Sequence, residues 1–299
     1  MKIFKSISLC MISVLLALCT VFYAGAETVY QYYGFSYTLV DNYSISLVGW
    51  DNRSDSFTLP YEVNERKFIS VGNYALEGNT ELRAVDLSQA TKLNRIGMNA
   101  FYGCTGLDTE FIIPESVTII NECAFQGCSS LPKVVINANI TEIPNQCFLN
   151  CSSLAEVNIP DTVETINPWA FAKCTSLEYI EIPASVKSIA QSAFANDPNL
   201  TLGVWYGSYG YEYAKELNIP YVLLDGGKLG DANGDGYVNV NDVTAIQRHA
   251  AELEPLTGIC FHAADVDGDG DVSVDDATEL QRYLAEYAVD YPVGEKLLQ

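Results

Sequence analysis

Apolar residues recur along the chain in two rhythms. Through the middle, Ala100-Phe101-Tyr102-Gly103-Cys104, Ala124-Phe125-Gln126-Gly127-Cys128, Cys147-Phe148-Leu149-Asn150-Cys151 and Ala170-Phe171-Ala172-Lys173-Cys174 repeat one arrangement. A worn copy precedes them at Ala75-Leu76, and a degenerate one follows at Ala193-Phe194. Successive phenylalanines lie 125−101 = 24, 148−125 = 23, 171−148 = 23 and 194−171 = 23 residues apart. A fixed period of about 20–29 residues predicts a solenoid whose coils stack. Each unit continues with an alternating strand pattern: Leu131, Val134, Ile136; Leu154, Val157, Ile159; Leu177, Ile180, Ile182. Pro160 and Pro183 end two of these strands, where a missing N–H does least harm. A second short β-rich stretch follows, as at residues 163–166 and 186–189. The Phe and Cys of one coil are expected to stack on those of the next, so that no unit is stable alone.

The ends of a solenoid need covers. Residues 30–59 alternate aromatic and polar side chains and predict opening hairpins, while residues 205–217 leave the repeat for a turn and a short helix. Residues 219–224 then predict a closing strand. The tyrosine-rich flanks (Tyr30, Tyr32, Tyr33, Trp205, Tyr206, Tyr209) read as this cover, or as a platform for stacking sugars.

The second rhythm is helical and belongs to the C-terminal part. Val243, Ile246, Ala250 and Leu253 share one helical face, as do Ala277, Leu280, Leu284 and Tyr287. Each pattern follows a twelve-residue run of oxygen-bearing side chains, the second beginning 265−231 = 34 residues after the first. Calcium takes six to eight oxygens from loop positions 1, 3, 5, 7, 9 and 12. In the first loop these are Asp231, Asn233, Asp235, the Tyr237 carbonyl, Asn239 and Asp242. In the second they are Asp265, Asp267, Asp269, the Asp271 carbonyl, Ser273 and Asp276. Gly236 and Gly270 stand at position 6, where the loop must turn sharply. Val238 and Val272, at position 8, are placed to join the two loops through a short β contact. Two calcium ions are therefore expected.

Charge and composition narrow the picture. Formal net charge is −22, and residues 225–299 hold 16 acidic against 4 basic side chains. Such a surface excludes nucleic acid, whose phosphates require basic partners. Lys2 and Lys5 ahead of an apolar run at 7–22, then Ala24-Gly25-Ala26, predict an export signal cleaved before Glu27. No later stretch reaches the length needed to span a bilayer. Seven cysteines remain after the signal, four at one repeat position, which reads as buried thiols rather than bridges. The two histidines, His249 and His262, both lie in the tail, so the repeats lack a histidine for nucleophilic catalysis. A carboxylate pair acting on a glycosidic bond remains the enzymatic alternative. An inhibitor or structural spacer is a third reading.

With Ser130-Leu131, Ser153-Leu154 and Ser176-Leu177 completing an A-F-x-x-C-x-S-L signature, the repeats resemble the BspA-type leucine-rich repeat over about residues 55–224. The tail, a calcium loop followed by one helix, twice (the F-hand arrangement), resembles the type I dockerin. The resemblances imply an α+β chain: a signal at 1–26, an N-terminal cap at 27–54, repeats with a C-terminal cap at 55–224 and a linker at 225–230. A small all-α dockerin at 231–290 and a tail at 291–299 complete it. They further imply a secreted, non-catalytic part of a cellulosome, serving plant-polysaccharide breakdown and held non-covalently by a scaffoldin cohesin. Carried over position by position, the cohesin contacts are Val240, Asn241, Gln247, Arg248 and Glu252, and Val274, Asp275, Gln281, Arg282 and Glu286. The near identity of residues 246–249 and 280–283 suggests that either helix can lead, in two orientations related by a half turn. On the repeats, Lys133, Val135, Asn137, Glu156, Asn158, Tyr179 and Glu181 would face an unknown protein or polysaccharide ligand.

Overall fold

The computed structural model describes residues 22–24, 27–51, 54–205, 207–224, 228–235, 237–287, 289 and 293–294. Nearly all of the expected signal lies outside them, as do Tyr206, Gly236 and half of the linker. The chain forms two compact units, one of residues 1–177 with 190–198, the other of 178–189 with 199–299.

The first unit opens with the hairpins that the aromatic alternation predicted. Strands Phe22–Ala24, Glu27–Tyr32, Phe35–Leu39 and Ser44–Trp50 pair antiparallel in order. Ser44–Trp50 then pairs parallel with Arg66–Val71, which starts a parallel ladder through Arg95–Ile96 to Ile119–Ile120. The hairpin face is sealed by Phe35 against Trp50, Phe57 and Phe68 at ring separations of 4.9–6.2 Å. Tyr30 stacks on Tyr37 and Tyr32 packs edge-on to Tyr33, so much of this aromatic surface is engaged within the cap.

A second set of short parallel strands runs along another side of the coils, including Phe111–Ile113, Lys133–Ile136 and Glu156–Val157. Alternation sends Phe111 and Ile113 inward and leaves Ile112 exposed. The last strand stays short because Asn158 replaces it. Its side-chain amide donates to the Ile136 carbonyl (2.9 Å) and accepts from the Ile136 amide (2.7 Å), as a backbone would.

Between the ladders, each coil turns through its Phe-x-x-Cys segment. Phe101, Phe125, Phe148, Phe171 and Phe194 form one continuous stack, with neighbouring centroids 5.0–5.4 Å apart and planes within 13° of parallel. Two residues before each of the first four stand Asn99, Cys123, Gln146 and Trp169, all with φ of 56–60°. Two residues after them stand Gly103, Gly127, Asn150 and Lys173, also left-handed. This alternation points three amides of a coil at the next. In the coil of Phe125, the Cys123, Phe125 and Gly127 amides donate to the Asn145, Cys147 and Leu149 carbonyls at 2.8–3.0 Å. A left-handed non-glycine residue costs roughly 1–2 kcal/mol, and the buried amide it pairs would cost a comparable amount if left alone.

The repeat cysteines are free and buried. Each thiol donates to a carbonyl of the preceding coil: Cys104 to Leu76, Cys128 to Phe101, Cys151 to Phe125 and Cys174 to Phe148, at 3.0–3.2 Å. A small apolar side chain with one weak donor suits that slot. Burial pushes the Cys104 thiol up to about 12 and those of Cys147, Cys151 and Cys174 well up, so none is a nucleophile at neutral pH. Counted three residues beyond its phenylalanine, Asp197 takes the cysteine position of the last coil. Burial pushes its carboxyl up to about 7, against a smaller opposite pull from the Cys174 amide.

In the second unit, Tyr179–Glu181, Thr201–Val204 and Tyr221–Leu223 form a parallel sheet closed by helix α1 (Tyr209–Leu217). Ser208 caps its start by accepting the Tyr211 amide, and Asn218 in the left-handed region ends it. Gly210 lets the helix press on the sheet, since a Cβ there would lie 2.8 Å from Ile182 Cγ2.

Replacing Phe148 by alanine opens the stack on both sides and should cost about 3–5 kcal/mol in denaturant unfolding of the full chain. Because the folded-state value of Asp197 is raised, its neutral form is the one the fold favours. Its contribution to stability should be greatest below the ordinary carboxylate range and be lost as pH rises towards about 7. Asp197→Asn should therefore stabilise the chain above pH 7, with an advantage that shrinks in acid, as read from melting temperature against pH.

Candidate functional site

The C-terminal part of the second unit is built on helices α2 (Val240–Ala250), α3 (Gly258–Ala264) and α4 (Val274–Leu284). Helices α2 and α4 pack together through Val243 and Ile246, and Ala277 and Leu280, all buried. Helix α3 was not anticipated. It is a seven-residue helix after Pro255, too short to show a period, and it leads directly into the second loop.

Both loops enter their helices in the same way. Asn239 and Ser273, at loop position 9, accept the Asn241 and Asp275 amides as N-caps. Position 12 closes each capping box: Asp242 accepts the Asn239 amide at 2.7 Å, and Asp276 the Ser273 amide at 2.8 Å. The same carboxylates reach back to the loop start. Asp242 accepts the Asn233 amide (3.0 Å), while Asp276 accepts those of Val266 (2.7 Å) and Asp267 (3.2 Å). Positions 3 and 5 set the intervening turns, Asn233 and Asp235 accepting two residues ahead, with Asp267 and Asp269 doing likewise. Gly270 adopts φ +91°, the left-handed turn that position 6 requires.

Carboxylates are thereby gathered at a cost. Asp231, Asp242 and Asp276 are buried. Asp265, Asp267 and Asp269 each offer an oxygen within 4.8 Å of the others. Burial, and then the neighbouring carboxylates, raise Asp265 and Asp267 above the ordinary range; burial first, with Asp231 and Asp235 adding, raises Asp242. Asp265 Oδ2 accepts the Gly270 amide, but its Oδ1 is buried without a hydrogen-bond partner. A buried orphan oxygen among like charges is a deficit that a cation fills. The donors are all oxygen, which suits calcium and not zinc. When bound, calcium supplies positive charge that ties each loop start to the helix behind it.

Two expectations need correcting. Helices α2 and α4 end at Ala250 and Leu284, so Leu253 and Tyr287, expected on the packed face, are exposed at 75% and 67%. Glu252 and Glu286 turn left-handed just beyond the ends, with Leu253 and Tyr287 donating back to the Arg248 and Arg282 carbonyls at 2.9 Å, a Schellman ending. Val238 and Val272 form neither a strand nor a bridge. Val272 is buried, and Val238 packs towards Gly230, where a Cβ would lie 3.1 Å from its Cγ1.

The ten side chains considered for docking (Val240, Asn241, Gln247, Arg248 and Glu252, with Val274, Asp275, Gln281, Arg282 and Glu286) are all exposed. Arg248 is paired with Glu254 at 3.1 Å, and Arg282 with Glu279 at 2.8 Å. His249 accepts the Leu256 amide (2.9 Å) and packs on Phe261, a structural role. On the repeats, Lys133 lies between Glu110 (3.3 Å) and Glu156 (3.0 Å), and Tyr179 donates to Glu181 (3.1 Å). Asn158 is held by the Ile136 backbone, while Val135 is half-buried and Asn137 exposed.

The family model for the BspA type leucine rich repeat region matches residues 64–201 in six copies, the number obtained by adding the worn and degenerate copies to the four clear ones. The model for the dockerin type I domain matches residues 229–285. Neither region is a catalytic module. Among solved structures, a leucine rich cell surface protein from Faecalibacterium prausnitzii is 24% identical, with TM-score 0.46, over 60% of this chain and 55% of that one. The T. pallidum leucine rich repeat protein is 26% identical (TM-score 0.40; 56% and 68% covered). One from Eubacterium ventriosum is 25% identical (TM-score 0.45; 55% and 44% covered). The chain thus spans little more than half of the first of these. No curated protein matches it.

Loop 2 places four carboxylates at ligand positions (Asp265, Asp267, Asp269, Asp276) and loop 1 three (Asp231, Asp235, Asp242). Greater ligand charge should make loop 2 the tighter calcium site. In calcium titrations of the full chain, Asp276→Ala should abolish the tighter phase and Asp242→Ala the weaker. Equal phases, or the reverse order, would reject the assignment.

Proposed function

We propose that this chain, a BspA-type leucine-rich repeat region joined to a dockerin type I domain, is an exported, non-catalytic component of a cellulosome. Its dockerin engages a scaffoldin cohesin once two calcium ions are bound. The repeats present a surface for a protein or polysaccharide in the setting of plant-polysaccharide degradation. The observation that carries the docking half is the duplicated loop. Two runs of carboxylates enter two helices through matching capping boxes, and each helix turns an exposed row of polar side chains outward.

Chemistry also argues for binding over catalysis. A hydrolase of the Ser-His or Cys-His kind needs an imidazole beside its nucleophile, whereas the repeats contain no histidine and burial raises the thiols of Cys104, Cys147, Cys151 and Cys174. The cohesin-facing residues we assign are Val240, Asn241, Gln247, Arg248 and Glu252 together with Val274, Asp275, Gln281, Arg282 and Glu286. The ions are held by Asp231, Asn233, Asp235, Tyr237, Asn239 and Asp242, and by Asp265, Asp267, Asp269, Asp271, Ser273 and Asp276. The N-cap roles of Asn239 and Ser273 favour contact through water at position 9.

Calorimetry of the full chain against a panel of cohesins, with calcium and then with chelator, decides the proposal. Tight binding to at least one cohesin that vanishes on chelation is the expected result. Alanine at both Gln247 and Arg248 should weaken binding only modestly if the second helix can take over. Loss of all binding in that variant would exclude the two-orientation mode, and silence from a calcium-loaded chain across the panel would exclude docking.

A further inference from the structure

One coil of the repeat differs in length. From the ladder leucine to the first inward strand residue, the later coils take 134−131 = 3 and 157−154 = 3 steps, but the coil of Leu107 and Phe111 takes 111−107 = 4. At this coil the ladder is interrupted. Ser56–Thr58 pairs with Ala84–Asp86 in one sheet, while Phe111–Ile113 begins another. A groove of about 950 Å³ lies there, lined from both sheets.

Its chemistry is one-sided. Three carboxylates, Asp86, Glu110 and Glu115, line it, and among the described residues no lysine, arginine or histidine does. Lys133 reaches Glu110 from outside but is shared with Glu156. Asp86 is a fixed anion: the Ser88 amide donates to one oxygen (2.8 Å) and the Thr58 hydroxyl to the other (3.3 Å), holding its carboxyl below the usual range. Between the charges lie Ile112, 47% exposed, and Pro114. Among the described residues Phe57 is the one aromatic in the lining, and it is buried, so they offer no open ring face for stacking a sugar.

We infer that this groove is the repeat domain's recognition site and that its occupant is an extended, lysine- or arginine-bearing segment of a partner protein. The inference rests on reading the repeats as a binding surface. A basic side chain fits the groove in both of its parts. Its methylene stem covers the apolar floor of Ile112 and Pro114, and its charged head reaches Asp86 or Glu115. Anionic glycans and nucleic acid are repelled by the same carboxylates.

The test titrates the full chain with a capped nonapeptide carrying three lysines, and separately with neutral xylohexaose. The paired substitution Asp86→Asn with Glu115→Gln removes groove charge. Glu122→Gln with Asp161→Asn removes equal charge from exposed positions elsewhere on the same unit. Salt-sensitive peptide binding that falls about tenfold in the groove variant and less than about twofold in the other is the expected result. Equal losses in both variants would reduce the interaction to general attraction to an acidic protein and overturn the inference. Xylohexaose binding lost in the groove variant, without peptide binding, would replace the occupant by a glycan. Failure of both probes on the unaltered chain would overturn the groove while leaving the cohesin titration to judge the docking module on its own. Glu115→Gln alone, at an exposed side chain, guards against a folding defect in the double variant.

Discussion

An amide inside a stacked coil has only the neighbouring coil to bond with, and most of the repeat region follows from that constraint. Left-handed residues stand two before and two after Phe101, Phe125, Phe148 and Phe171, and in the first three of these coils three amides meet three carbonyls of the next. The same coils lay Phe101, Phe125, Phe148, Phe171 and Phe194 ring on ring and put the thiols of Cys104, Cys128, Cys151 and Cys174 under carbonyls. The aromatic stack is therefore fixed by backbone pairing as much as by hydrophobic burial. This explains why asparagine, glutamine, lysine and even tryptophan are accepted at positions where glycine would be less strained.

Much of this was legible in the sequence, and what was not has identifiable causes. The phenylalanine period announced the solenoid, because a strict repeat of a large apolar residue has few other physical meanings. The aspartates announced the loops, because their spacing is set by a cation's size. The left-handed columns were hidden, since Asn99, Cys123, Gln146 and Trp169 share no side-chain chemistry, only a torsion angle. Helix α3 was hidden by its brevity, and the exposure of Leu253 and Tyr287 by helices that end one turn early. The groove lay in a single extra residue between Leu107 and Phe111, a change in length that an apolar pattern does not weigh.

The two modules solve opposite problems. In the repeats, the amides around each phenylalanine and the thiols of Cys104, Cys128, Cys151 and Cys174 are paired with a neighbouring coil. Where the pattern lapses, at Asp197, a carboxyl takes a thiol's position and is pushed up to about 7. In the loops, carboxylates are concentrated deliberately. Backbone amides satisfy part of each, as Asp276 shows with three, yet Asp265 keeps a buried oxygen that no donor reaches. Protein donors alone do not balance that charge.

The near-duplicate helices are less equivalent than their sequences. Arg282 is bonded to Glu279 within its own helix, which leaves the surface of α4 self-contained. Arg248 is bonded to Glu254, beyond the end of α2, so its guanidinium is tethered to the connection leading to Pro255. The first arginine also borders a recess of about 520 Å³ with Asn241, Leu256 and Cys260. A partner approaching α2 must displace or accommodate the Glu254 carboxylate, whereas one approaching α4 meets an arginine already held by the helix. Exposed pairs of this kind contribute little to stability, about 0–1 kcal/mol, but they bias where the guanidinium points. Two docking orientations, degenerate in sequence, would therefore differ in what each must rearrange. If both orientations occur, the balance between them would depend on the connection after α2 as well as on the repeated helix residues.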